Sequence, residues 1–475
     1  MEVLIIATNR NNYPTPVIPY GACIVAEATA REGHRVSFLD LLFQADPIKA
    51  VETALQRCSP DVIGFSVRNL DNNEMQAPVS FVTELREIIK ATKRISSAPI
   101  VLGGPAVGVM PEQLLRHTHT SFAILGDGEV AFPALLRTMR NGRKLQEVPR
   151  LAWLENGRYQ MGLKNRCQLS PVTITPAFEH WVNLKAYLSA NATVPIQSKR
   201  GCPFPCIYCT YGISEGKEYR LLPPQEVAHA VQQLSSKGHR DLEFVDNVFN
   251  SPYDHALAIC DHLALAPHKA RLLSMELNPA FVDDALLKAM EVAGFVGVGV
   301  TAESAADPVL SGMDKGYTRA EVEKAATAVR RSKLPCFWLF LLGGPGENEQ
   351  TVTETLSFAQ RVLRKGDVAF LTVGIRIYPD TRLERLARQQ GVLSHSDQEM
   401  IEPVFYFSPD LSLAWTLDQV RRVAAENLNL LHLPSLSHPW LPGVNRLFQR
   451  LPLSPPIWKH TWAIRKMVKA LGRDI

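Results

Sequence analysis

Twice along this chain, short apolar runs alternate with amphipathic stretches, and that rhythm admits few folds. Val3 to Ala7, Val36 to Asp40, Val62 to Val67, Ile100 to Gly103 and Phe122 to Leu125 read as five strands. Helical periodicity falls between and after them, near 22–33, 48–57, 78–92, 111–117 and 129–140. Strands that alternate with helices build a doubly wound parallel sheet, because each parallel return needs a crossover. Such α/β sheets take ligands at the carboxyl ends of their strands, where the strand order reverses. Here those ends carry the loops Thr8 to Tyr20, Ser66 to Asn73, Gly103 to Gly108 and Gly126 to Glu129, rich in Gly, Pro, Asn and Asp.

Residues 146–190 lose the rhythm and gain Pro, Gly and aromatics, as a linker does. A second alternation starts at Val194, with strands near 194–198, 242–246, 271–276, 296–301, 335–342 and 368–377. Its helices fall near 224–237, 253–264, 282–292, 319–332, 350–364 and 380–390. Six β/α units are too few for a full eight-fold barrel. From Glu402 the pattern turns irregular and then helical, which divides the chain into 1–145, 146–190, 191–390 and 391–475. The last segment, Pro456 to Ile475, carries Trp458, Lys459, Trp462, Arg465, Lys466, Lys469 and Arg473. A basic helix with two Trp can lie on a membrane surface, though docking by its apolar face with the charges solvated is commoner.

Length and composition exclude more than they select. At 475 residues, 46% of them hydrophobic and 21% charged, the chain is long enough for two or three packed domains. A scattered net charge of +4 does not point to nucleic acid. The start, Met1-Glu-Val-Leu-Ile-Ile-Ala, shows no basic leader, and no run approaches the roughly 18 apolar residues of a membrane span. Only three of the eight cysteines cluster, so no disulfide framework is expected and a reducing cytoplasm fits.

Those three stand in Lys199-Arg-Gly-Cys202-Pro-Phe-Pro-Cys206-Ile-Tyr-Cys209. Spaced as C-x3-C-x2-C on a loop stiffened by Pro203 and Pro205, three thiolates can ligate three irons of a [4Fe–4S] cluster and leave one iron open. A structural zinc loop usually takes four ligands from paired knuckles, so zinc, or three incidental cysteines, is the lesser reading.

The cysteine spacing, set directly after the first strand of a β/α series, resembles the radical S-adenosylmethionine enzymes, whose fold is an open, partial (β/α)6 barrel of TIM type. The resemblance implies that Cys202, Cys206 and Cys209 hold the cluster and that the open iron chelates the methionine moiety of S-adenosylmethionine. It implies further cosubstrate contacts from several strand ends. Tyr208 would pack against the adenine. Asp246 or Asn247 would receive the amino group, since the family's Gly-Gly-Glu turn is missing after the second strand, with a turn or helix-cap use of these two residues as the equal alternative. Glu303 and Ser304, in a segment followed by Lys315-Gly-Tyr-Thr318, would meet the ribose hydroxyls. Gly343 and Gly344, in Leu341-Leu-Gly-Gly-Pro-Gly-Glu347, would let backbone approach the adenosine. Arg376, in Gly374-Ile-Arg-Ile-Tyr378, is a candidate carboxylate anchor, with a structural ion pair as the equal alternative.

Upstream, Gly33 to Asp40, Ile63 to Asn69, Val101 to Pro105 and Leu125 to Glu129 resemble the cobalamin-binding domain that precedes many such barrels. The contacts this implies are Asn9, Ser66, Arg68, Asn69, Gly103, Gly104, Gly126, Gly128 and Glu129. A flavodoxin-like domain for another nucleotide, or for none, is the runner-up. One departure matters. Other cobalamin proteins carry Asp-x-His-x-x-Gly after the first strand, whereas Thr8 to Pro16 contains no His. The resemblance therefore implies base-off, His-off cobalamin with Arg68 or a water beneath it.

Both halves together imply a C-methyltransferase with a [4Fe–4S] cluster, S-adenosylmethionine and cobalamin as cofactors. A 5′-deoxyadenosyl radical would take hydrogen from an unactivated carbon, and methylcobalamin would supply the methyl group. The partners implied are a small-molecule or natural-product substrate and an external electron donor of flavodoxin or ferredoxin type, with no nucleic acid. A non-methylating cyclisation or rearrangement, and a non-catalytic redox sensor, remain as other readings. Residues 391–475 and the linker would shape the substrate pocket, with Phe405, Tyr406 and Phe407 as lining or, more commonly for aromatics, core.

Overall fold

The computed structural model describes residues 1–12, 15–163, 175–394, 400–432 and 454–470. Its first sheet joins β1 (Glu2–Ala7), β2 (Arg35–Asp40), β3 (Val62–Ser66), β4 (Ile100–Gly103), β5 (Phe122–Ile124), β6 (Leu151–Glu155) and β7 (Arg158–Met161). Their order is β2-β1-β3-β4-β5-β6-β7. The first five are parallel, as the alternating pattern requires, and the order reverses between β1 and β3. The last two correct the linker reading of 146–190: they pair antiparallel with β5 and with each other. The signal for them is Asn156-Gly157, both with positive φ, which forms the tight turn of a two-residue hairpin. Past the segment 164–174, which lies outside the described residues, Trp181 and Tyr187 fasten the chain back by bonds to Glu27 (3.0 Å) and Asp40 (2.7 Å).

The second sheet starts with β8 (Val194–Ile196), followed by a small hairpin of β9 (Lys199–Arg200) and β10 (Arg220–Leu221) that brackets the cysteine loop. It continues through β11 (Asp241–Phe244), β12 (Arg271–Leu277), β13 (Phe295–Glu303), β14 (Cys336–Leu342) and β15 (Val368–Val373). A second small hairpin pairs β16 (Ile375–Arg376) with β17 (Phe405–Tyr406), and β18 (Leu430–His432) closes the sheet. The order β18-β15-β14-β13-β12-β11-β8 gives seven parallel strands where the pattern predicts six, because β18 pairs with β15 from a stretch read as irregular. On the helix side Phe244, Trp338, Phe340 and Phe358 are fully buried. The alternate residues face the lumen.

The C-terminal helix Thr461–Ala470 is docked on the fold. Arg465, predicted on its solvated face, is buried and donates to the carbonyls of Leu430 (2.7 Å) and Ala424 (3.3 Å). Trp458 packs edge-on against Phe337, with ring centroids 5.5 Å apart, and Trp462 lies under Lys365 and Lys466. Both indoles are therefore used inside the molecule. Arg473 lies outside the described residues, among which no helix is long and apolar enough to cross a membrane.

Two buried clasps hold the first sheet against the barrel. Arg376 is paired with Asp71 (2.7 Å), and its other nitrogens donate to the carbonyls of Ile377 (2.6 Å) and Met400 (2.9 Å). Every arm of the fork is occupied, so the structural ion pair, not the carboxylate anchor, is what the fold builds. Beside it, Tyr378 donates to Asn73 (2.9 Å). In the second clasp Arg200 binds Asp127 (2.9 Å) and Glu129 (2.5 Å), and Arg220 binds Asp127 (2.6 Å). Glu129, predicted as a cobalamin contact, is thus committed to the barrel. Burial raises the Asp127 carboxyl, but Arg220 and Arg200 outweigh it and hold it below the usual range.

Removing Asp71 leaves a guanidinium buried without a counter-charge. Asp71→Ala is expected to lower unfolding stability by about 3–5 kcal/mol, measured by denaturant titration.

Candidate functional site

The cysteine loop is built on the end of β11. Asp246, fully buried, accepts from the Ser198 amide (2.8 Å), the Ser198 hydroxyl (2.6 Å) and the Lys199 amide (3.2 Å). Lys199 reaches the Phe249 carbonyl (2.8 Å). Predicted as a ligand contact, Asp246 instead fixes the root of the loop. Asn247 likewise donates to Glu215 (2.7 Å), which accepts the Gly201 amide (3.0 Å). Gly201 has φ +90°, and a Cβ there would strike the Glu218 carbonyl, so the hairpin can close only over glycine. The Cys202 amide binds the Gly216 carbonyl and the Ile207 amide binds the Met313 carbonyl.

All three thiols are free, Cys202 buried and the other two partly exposed. Burial pushes the Cys202 thiol up and the Cys209 thiol to about 12; backbone hydrogen bonds at Phe204 and Tyr211 and the Lys315 charge oppose these shifts, while Cys206 adds to both, Glu215 to the first and Cys202 to the second. Among the described residues no three His, Cys, Asp or Glu side chains converge on a single metal ion. Three thiols close enough to repel one another, on a loop pinned at both ends, suit a cationic cluster corner.

Beside them the barrel mouth holds a charged triad. Tyr208 donates to Glu303 (2.8 Å), and Lys315 donates to Tyr208 (2.9 Å) and Glu303 (3.1 Å). Burial would lower the Lys315 ammonium, yet Glu303 and then Tyr208 carry it well above its usual value. Burial and the Glu303 charge raise the Tyr208 phenol. Glu303 itself has φ +60°, a conformation that non-glycine residues adopt at a cost of about 1–3 kcal/mol and that is concentrated at functional sites.

Across from the triad stand the strand ends of the first sheet. Ser66, Arg68 and Asn69 are half-buried, and Asn9 donates to the Asn11 carbonyl (3.2 Å). Gly104 and Gly126 have positive φ, and Gly104 packs on the Val67 backbone. A Cβ on Gly128 would meet Val25, whereas one on Gly103 would point into open space. Arg68 has no hydrogen-bond or ion-pair partner among the described residues, and desolvation lowers its guanidinium, with Tyr211 and Glu243 of the barrel opposing. An open floor at Gly103 beside an unpaired cation fits a large flat ligand such as a corrin.

Residues 7–136 match the B12 binding domain family, and residues 196–359 match the Radical SAM superfamily. An uncharacterized methyltransferase of Pyrococcus horikoshii is 25% identical over 385 residues, covering 79% of each chain. The tryptophan 2-C-methyltransferase of Streptomyces laurentii is 21% identical, covering 80% of this chain and 74% of its own. The solved radical S-adenosylmethionine methyltransferase TsrM of Kitasatospora setae, with cobalamin and a [4Fe–4S] cluster bound, shares the fold at a TM-score of 0.85. It is 21% identical and is matched over 99% of this chain and 98% of its own. The chain belongs to the cobalamin-dependent radical S-adenosylmethionine family.

Within that family's barrel, the structure brings together some of the predicted residues and not others. Cys202, Cys206, Cys209, Tyr208 and Glu303 share one mouth. Ser304 turns away from it, fully buried with its hydroxyl on Thr355 (3.0 Å). Gly343 and Gly344 both donate to the buried carboxylate of Glu347, the latter at 3.0 Å, and a Cβ on Gly343 would collide with Phe407. The glycine turn is thus packed against protein. Tyr406 is fully buried, as core packing predicts. Sequence reading missed Glu347, which caps its own glycine turn from three and four residues away, and also Glu276 and the role of Lys315, which show only once strand ends are set side by side.

Burial holds the Glu347 carboxyl up at about 7, against the two glycine amides that pull it down. An acid raised on folding binds its proton more tightly in the folded state. Stability is then greatest below the ordinary carboxyl pKa, falls as pH rises towards 7 and is level above it. The full loss is on the order of 3 kcal/mol. Urea unfolding from about pH 4 to pH 8 is expected to show it, and Glu347→Gln to flatten that part of the curve.

Proposed function

We propose that this chain transfers a methyl group to an unactivated carbon of a small molecule held between the barrel mouth and the first sheet. The observation that carries the reading is Arg68: a side chain of the first sheet, without a hydrogen-bond or ion-pair partner among the described residues, lies within reach of the charges of Tyr211 and Glu243 of the barrel. Tyr211 lies two residues beyond the last cysteine of the loop. That proximity supports a reading in which the two cofactor edges open on one space.

Cys202, Cys206 and Cys209 would hold the cluster, with Tyr208 and Glu303 beside S-adenosylmethionine. Asn9, Ser66, Arg68, Asn69, Gly103, Gly104, Gly126 and Gly128 would border cobalamin. When bound, the cluster and S-adenosylmethionine supply a hydrogen-abstracting radical, and cobalamin supplies the methyl group. The chain's own residues do the rest. Lys315 neutralises Glu303 within the triad; the Asp246 clamp sets the loop's position; the two clasps hold the first sheet against the barrel. Arg68 would lie beneath the corrin without ligating cobalt, since a guanidinium has no free lone pair. An external single-electron donor of flavodoxin or ferredoxin type would complete the cycle.

The relatives support a carbon target of small size. The Streptomyces laurentii protein is a tryptophan 2-C-methyltransferase, and a second TsrM structure holds tryptophan with a S-adenosylmethionine analogue.

Replacing Cys202, Cys206 and Cys209 together by Ala is expected to abolish cluster absorbance and all turnover while leaving the circular dichroism of the fold unchanged. Retained product in the triple variant would refute the reading. In the wild type, anaerobic assay is expected to consume two S-adenosylmethionine per methylated product, with 5′-deoxyadenosine and S-adenosylhomocysteine released together; 5′-deoxyadenosine alone would indicate a rearrangement or ring closure. Co(II) EPR of the reconstituted protein is expected to show no nitrogen superhyperfine splitting.

A further inference from the structure

Two guanidinium groups, Arg68 and Arg150, stand at the ligand edge of the first sheet without an ion pair among the described residues. Arg68 follows β3. Arg150 immediately precedes β6, and because β6 runs antiparallel to β5, it sits at the carboxyl end of β5, beside the loop Leu125 to Glu129. Three bonds fix it there. Its amide donates to the Leu163 carbonyl (2.7 Å), its carbonyl accepts the Leu125 amide (3.0 Å), and its Nε donates to the Leu125 carbonyl (3.1 Å). The side chain is half-buried and held at Nε, while its two terminal nitrogens meet no acceptor among the described residues. Its φ of +56° is left-handed, a backbone that costs a non-glycine residue energy and concentrates where ligands are held.

The carboxylates nearby are already used. Arg200 and Arg220 take the two oxygens of Asp127, at 2.9 Å and 2.6 Å, and Arg200 also takes Glu129 (2.5 Å). Three guanidinium groups thus share two carboxylates, which leaves one positive charge over, and the open nitrogens are those of Arg150. Desolvation lowers the Arg150 guanidinium, the charges of Asp127 and Tyr159 oppose that, and Arg220 adds to it. An anion arriving here gains a charge-assisted, forked contact without displacing a protein partner.

Cobalamin brings one such group. The side arms of its corrin are neutral amides, and the arm that carries the nucleotide runs on through a phosphate diester. β3 and β5 are two strand spacings apart, about 10 Å, so a macrocycle over Arg68 can extend an arm to the end of β5.

We propose that Arg150 binds the phosphate diester of the cobalamin nucleotide arm through its two terminal nitrogens. The inference rests on the cobalamin reading of the first sheet and assigns Arg68 and Arg150 different parts of one ligand.

The test uses the full chain reconstituted with its cluster. It is dialysed to equilibrium against cobalamin, against cobinamide, which lacks both phosphate and nucleotide, and against cobinamide phosphate, which restores the phosphate alone. Bound corrinoid is read from its absorbance. The wild type is expected to bind cobalamin and cobinamide phosphate at least tenfold more tightly than cobinamide, the scale of a hydrogen bond between charged groups. Arg150→Gln removes that preference and leaves cobinamide binding unchanged, whereas Arg150→Lys, which keeps the charge but not the fork, retains part of it. Equal affinity of the wild type for cobinamide and its phosphate overturns the proposal without any variant. So does a preference that survives in Arg150→Gln, or an equal loss for all three ligands, which would make Arg150 a packing residue. A wild type that binds no corrinoid refutes the cobalamin reading and this proposal with it. Phosphate-dependent binding without methylated product refutes the methylation reading alone and leaves the phosphate site standing.

Discussion

Everything proposed for this protein depends on guanidinium groups that are buried where its two sheets meet. Arg376 and Arg200 leave the barrel and end on carboxylates of the first domain, Asp71 in one case and Asp127 with Glu129 in the other. Buried charges hold a structure in register only if every donor is met, and here the Arg376 fork also satisfies the carbonyls of Ile377 and Met400. The pairs lie far apart in the chain, Asp71 and Arg376 being 305 residues from one another. They set the distance across which chemistry at the cysteine loop can reach a ligand on the strand ends of the first sheet.

Inside that space the charges are arranged around burial. Glu243, Glu276 and Glu303 come from adjacent strands, and Lys315 neutralises only the last of them directly. Strain and electrostatics meet at Glu303, whose left-handed backbone is fixed by two hydrogen bonds to its carboxylate. A flexible side chain at this position would lose its alignment with Tyr208 each time a ligand entered.

The alternation of strands and helices and the C-x3-C-x2-C loop were legible in the chain because both are local in sequence. Five parallel strands of the first sheet and the first six of the barrel lie where the apolar runs place them. The hairpin β6–β7 was legible in principle, since Asn156-Gly157 announces it, but the Pro-rich and aromatic surroundings mask its period. The short β18 was not, because three residues carry no periodicity and only pairing with β15 makes them a strand. Polar residues at strand ends were the hardest to read. Asp246, Ser304, Arg376 and Glu129 have the right chemistry for ligand contacts, and each is used up by a partner brought from 48 to 305 residues away.

That consumption is itself informative. A buried polar group costs free energy unless it is bonded, so a fold pairs nearly all of them, and the few left open need an explanation. Here the strand-end residues that hold the loop and the domain interface are saturated. Among the described residues the Arg68 guanidinium of the first sheet and the Glu276 carboxylate of the barrel have no hydrogen-bond partner. Packing alone gives no reason for two unpartnered charged groups from different domains to stand near the same tyrosine, Tyr211. A cluster on the three cysteines and a flat ligand over Arg68 would occupy that mouth together. The architecture therefore reads as a frame pinned at the loop root and at the domain interface, around a centre that its ligands complete.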